Sequence, residues 1–98
     1  MTTETMTDAE KAITAFALDQ YLKHAGKEIA HDEAYIEEKD ADPIDKYWQL
    51  SRDMCVQSLA RQKAEFRAAF IARCKLTGYP IHRMSEELIE SNLSQYMP

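Results

Sequence analysis

Through the middle of the chain, apolar residues recur at Trp48, Cys55, Leu59, Phe66 and Phe70, in steps of seven, four, seven and four. Those steps keep the five side chains on one face of an α-helix. Asp42 offers an N-cap, and Pro43 after it suits the first helical position, where a missing N–H costs nothing. No further Gly or Pro occurs until Gly78, which is placed to end the helix in a left-handed turn. The pattern therefore predicts one helix over Asp42–Leu76, roughly 50 Å long. A chain of 98 residues is too short to cover such a helix on every side. The helix is expected to organise the other elements and still leave surface for something else. A second, weaker stripe of Tyr47, Leu50, Met54 and Ala68 lies about a third of a turn away. Two apolar stripes suit a helix packed against two partners, the second a candidate for another chain.

The flanking segments read as shorter elements. Residues 1–6 are polar and Thr-rich, a frayed end. Thr7 with Glu10 makes a capping box, opening a first helix that runs from Asp8 to about Ala25 and stops at Gly26. Its apolar residues spread over more than one face, with Ala9, Ile13 and Phe16 on one side and Leu18, Tyr21 and Leu22 on another. A helix apolar this far round is sandwiched between neighbours or lies in an oligomer. Lys27–Ala41 holds six acids and only Ile29, Tyr35 and Ile36 as sizeable apolar groups, and Glu33 and Glu37 repel at i,i+4. The expectation there is a mobile acidic connector with a helical turn or two, Asp32 capping a short helix over about Glu33–Lys39. Gly78-Tyr79-Pro80 breaks the chain direction. Because an X-Pro bond in a loop can interconvert slowly between cis and trans, Tyr79 and Pro80 form a candidate switch loop. Ser85 then caps a last helix, with Leu88, Ile89, Leu93, Tyr96 and Met97 as a narrow stripe that packs back on the long helix or, as the second reading, docks into a groove on a partner. The fold class is all-α, a single helical domain over 1–98.

Composition agrees with helix. Val occurs once, and the chain has two Gly and three Pro, which argues against strands. The net charge of −5 is uneven: residues 1–50 carry twelve acids and five bases, residues 51–98 five and seven. The two halves can attract each other within a fold or between chains. Direct nucleic-acid binding is disfavoured, because neutralising phosphates takes a concentrated excess of Lys and Arg. Cys55 and Cys74 stand nineteen residues apart on one helix, roughly 28 Å, so they cannot pair with each other. The N-terminal residues show neither a basic region nor an apolar run, and no stretch approaches the ~20 apolar residues of a membrane span. A cytoplasmic protein that does not engage membranes is the expectation.

Chemistry is sparse. His24, His31 and His82 have no HExxH or CxxC company, so no metal site is expected. The Lys39–Asp45 stretch lacks the Gly and the closing Glu of a calcium loop. No nucleophile elbow and no Gly-rich phosphate loop occur; neither catalysis nor a cofactor is expected. Arg52, Lys63, Arg67 and Arg73 flank Trp48, Phe66 and Phe70, a basic-aromatic set suited to a protein interface or to single-stranded nucleic acid. The residues expected to bind a partner are Trp48, Arg52, Phe66, Arg67 and Phe70, with the terminal stripe of Leu88, Leu93 and Tyr96.

These features point to a non-enzymatic interaction protein that binds a larger protein partner or forms a homodimer, modulating or inhibiting a larger complex. Size and acidic helical character, rather than any one residue, fit phage- or plasmid-encoded modulators of host machines such as nucleases. The alternative is a nucleic-acid-associated accessory protein using the basic-aromatic face of the long helix. A DNA mimic built on the acidic connector is a third reading, for which twelve acids against five bases over fifty residues is thin.

Overall fold

The computed structural model describes residues 5–42 and 44–97 and is all-helical among them. Helix α1 spans Asp8–Asp40, α2 spans Lys46–Leu76, a 3-10 turn covers Ile81–Arg83, and α3 spans Glu86–Ser94. The first two form an antiparallel hairpin. Ion pairs between them tie its base, middle and tip: Asp19 with Arg73, Glu33 with Lys63, and Asp40 with Arg52. The molecule is 59 Å long and its radius of gyration is 17.3 Å, well above the ~13 Å of a compact chain this size. Two helices of ~50 Å each leave no way to be round.

Local chemistry fixes most helix ends. Thr7 Oγ1 accepts from the Glu10 N–H, and Glu10 Oε1 accepts from the Thr7 N–H at 2.9 Å, the reciprocal pair of a capping box. The hydrogen bond from the Thr7 backbone N–H, and secondly the Thr7 hydroxyl, hold the Glu10 carboxyl below its usual pKa. At the end of α2, Gly78 adopts φ +74. The Tyr79 N–H reaches Cys74 O at 2.8 Å and the Gly78 N–H reaches Lys75 O, which closes the helix as a Schellman turn. Ser85 caps α3 through the Leu88 N–H.

Three expectations are corrected. The first helix does not stop at Gly26 but runs on to Asp40, with Ala41 as its C-cap, so the expected mobile connector Lys27–Ala41 is helix over Lys27–Asp40. Gly26 is buried where the backbone of Tyr96 crosses α1; a Cβ there would lie 2.8 Å from the Tyr96 carbonyl carbon and closer still to its oxygen. The glycine serves close approach and not termination. Repulsion between Glu33 and Glu37 is worth only a few tenths of a kcal/mol, and the ion pairs of Glu33 and Asp40 with α2 oppose it. Helix α2 starts at Lys46 rather than at Asp42. Asp45 is the cap, its Oδ1 accepting from the Trp48 N–H at 3.0 Å, while Asp42 accepts from the Ile44 N–H in the turn before it. With α1 ending at Asp40, the residues after it are needed to reverse the chain. The first-helical-position reading of Pro43 lies outside the described residues, as do residues 1–4 of the expected frayed end.

The core sits in the proximal half of the hairpin, where α3 lies across it. Leu22 and Ile29 of α1, Phe66, Phe70 and Cys74 of α2, and Ile89 and Leu93 of α3 are buried together. Tyr96 meets Phe66 edge-on with centroids 6.1 Å apart. Burying side chains of this size contributes about 1.5–3 kcal/mol each. Arg67 on α2 donates to Glu86 at the start of α3 at 2.5 Å, holding the short helix in line.

Candidate functional site

Among the described residues no third helix covers the distal half of the hairpin, and side chains brace it. Trp48 is buried against Tyr35, ring centroids 5.8 Å apart and nearly perpendicular. Its Nε1–H donates to Asp40 Oδ1 at 2.8 Å. Arg52 donates to the same carboxylate through Nε at 2.8 Å and Nη2 at 3.0 Å. Asp40 thus accepts three hydrogen bonds at the tip; those from Arg52 first and Trp48 second hold its carboxyl below the usual range, and the pairing raises Arg52 in return. The residues that looked like a partner-binding cluster form an internal clamp.

That outcome extends to most of the expected contact residues. Trp48, Phe66, Phe70 and Leu93 are buried, so in this conformation they face the chain's own core. The Trp48–Phe70 stripe turned towards α1, as a hairpin core requires. Arg52, Lys63, Arg67 and Arg73, the cations beside it, each stand in an ion pair with an acid of the same chain. Tyr96 is half-buried, its hydroxyl 3.3 Å from Asp19 Oδ1, and burial is the first cause of its raised pKa. Leu88 is exposed. The Tyr79–Pro80 loop holds its peptide bond trans, with Tyr79 exposed.

The weaker stripe is the one left open. Tyr47, Leu50 and Met54 are 86, 83 and 74% exposed on a single face of α2, with Ala68 exposed further along it. Ile44, in the turn just before the helix, is as exposed as Leu50. Three large apolar side chains side by side in water make a patch of the kind that marks an interaction surface. Next to it, Tyr35, Ile36, Met54 and Cys55 line a groove of about 340 Å³ between the helices. A separate pair, Ile13 and Phe16, is exposed near the start of α1 at the other end of the molecule. The longer α1 has a period-of-seven signal that the stop at Gly26 overlooks: Leu22, Ile29 and Ile36 recur straight through the glycine.

Among the described residues no group of three or more His, Cys, Asp or Glu side chains is placed to hold a metal ion. No helix there is long and apolar enough to cross a membrane. Comparison of the chain with protein-family models, with curated proteins and with solved structures finds no match.

Proposed function

We propose that the protein is a non-enzymatic interaction module that works by seating the outer face of α2 on another protein surface and so modulates the assembly it joins. The supporting observation is the Tyr47, Leu50, Met54 stripe, apolar, contiguous and uncovered. Aromatic, Met and Leu side chains on a preformed helix can dock with little ordering cost, because the backbone is already fixed. The hairpin acts as a rigid arm: its core and Trp48 clamp hold the stripe along a helix instead of letting it collapse inward. Contact with nucleic acid is the weaker reading, since Arg52, Lys63, Arg67 and Arg73 are paired within the chain and Trp48, Phe66 and Phe70 are not free to stack on bases.

A photo-crosslinking residue at position 50, compared with one at Gln20 on α1, tests the proposal in a cell that makes the protein. Capture of protein from position 50, lost on Met54→Asp with the thermal midpoint unchanged, is the expected result. Equal capture from both positions, or association that collapses with modest salt as phosphate contacts do, contradicts it.

A further inference from the structure

We infer that the surface covering the outer stripe of α2 is the same stripe of a second copy, packed antiparallel; the inference rests on reading that stripe as an association face. Followed along α2 at heptad spacing, the outer face runs Tyr47, Leu50, Met54, Gln57, Arg61, Ala64, Ala68, Ile71. The positions from 47 to 68 are exposed and Ile71 is half-buried, so the face is open over about 32 Å, from Tyr47 to Ala68. Bulk is distributed unequally along it. The large apolar groups sit in the N-terminal half and the alanines in the C-terminal half.

An antiparallel pair centred near Leu59 sets each large residue on a small one. Leu50 lies over Ala68 of the second copy, Met54 over its Ala64, and Tyr47 beside its Ile71. Small residues at these places allow the axes to approach to the short end of the usual 8–10 Å. Gln57 and Arg61 meet at the centre, where the Gln57 amide oxygen can accept from the guanidinium. Charge selects the same register. Asp53 and Arg67 flank the stripe on one side, and this pairing brings Asp53 against Arg67 of the second copy, twice by symmetry. Arg67 donates to Glu86 through Nη2, and the guanidinium has further N–H donors for a second carboxylate. Asp53 forms no ion pair among the described residues of its own chain.

Other registers fail on the same residues. One heptad shorter, Leu50 lies over Arg61 and Lys46 approaches Arg67. One heptad longer, Leu50 lies over Lys75 and Asp53 loses its cation. A parallel pair stacks Arg61 on Arg61 in the seam, like charges in contact. A two-fold antiparallel pair satisfies both size and sign, and being isologous it closes at two copies.

Cross-linking with a short bismaleimide, in a Cys55→Ser background, tests the register; Cys74 is buried and stays. A mixture of Leu50→Cys and Ala68→Cys chains is expected to give a covalent dimer, whereas Leu50→Cys alone gives none, its two sites lying roughly 27 Å apart along the seam. Asp53→Arg should raise the dimer dissociation constant by about tenfold, since two exposed pairs are lost, and Arg67→Asp added to the same chain should recover part of that. Self-linking of Leu50→Cys alone overturns the antiparallel arrangement. Absence of any link at the highest soluble concentration overturns the second copy as occupant. In that case capture of a different protein from position 50 leaves the association reading standing, and no capture removes both.

Discussion

Replacing Gly26 with alanine separates the fold described here from the simpler one in which a glycine merely ends a helix. In an exposed helix interior, Gly→Ala stabilises by about 0.5–1 kcal/mol, because alanine has less conformational freedom to lose. At position 26 the added methyl would sit 2.8 Å from the Tyr96 carbonyl carbon, against backbone rather than a flexible side chain. Relief requires moving the segment after α3, which carries the Tyr96 ring off Phe66 and loosens Met97 from the core edge. Overpacking of this kind costs about 1–3 kcal/mol. Set against the helix gain, the net effect is a loss centred on about 1 kcal/mol. For a domain of this size each kcal/mol lowers the melting temperature by about 4–8 °C. Far-UV circular dichroism with heat and urea measures it. The diagnostic is a change of sign: in a chain ending at Gln95, where Tyr96 is gone, the same Gly26→Ala change should stabilise by the ordinary ~0.5–1 kcal/mol. A full-length Gly26→Ala protein as stable as the wild type, or more so, would refute the close crossing of Tyr96 over α1.

Other predictions follow from the division of α2 into an inner and an outer face. Phe66→Ala should cost about 3–5 kcal/mol, a large part of the stability of a domain this small, whereas Met54→Ala should stay within about 0.5 kcal/mol; urea unfolding compares them. Asp40 has a folded pKa below its unfolded one, so its contribution is complete above about pH 4 and is lost as pH falls through the depressed value. Acid titration of Trp48 fluorescence should therefore show the tip loosening on acidification, and Asp40→Asn should remove that step while lowering stability at neutral pH. Cys74 is buried, and burial pushes its thiol pKa up; a thiol reagent should label Cys55 in the native protein first and Cys74 only after unfolding.

Signals confined to a few neighbouring residues were legible in the sequence. The Thr7 and Ser85 caps, the Gly78 stop, the Trp48–Phe70 stripe and the all-helical class needed nothing beyond local spacing. The role of Gly26 was not legible, because a glycine before a polar stretch has the same appearance whether it ends a helix or admits another chain segment. What decides between them is Tyr96, which is distant in sequence. The acidic segment misled for a similar reason. Its like-charged neighbours are local, whereas the cations that offset them, Arg52 and Lys63, lie across the hairpin. Two apolar stripes on α2 were visible, but not which one would face inward. The richer stripe, with Trp and Phe, looked like the stronger binding surface and became the core, since the lengthened α1 covers most of that face. The poorer stripe was left outside, and the candidate site moved with it.

Sedimentation equilibrium of the purified protein, beside a Leu50→Asp variant of unchanged thermal midpoint at low concentration, tests most directly whether the outer face of α2 is covered by that of a second copy. The account predicts a mass twice that of the 11.3 kDa chain for the wild type and a single-chain mass for the variant. A wild-type mass of one chain at every concentration, or a dimer that Leu50→Asp leaves intact, would contradict it.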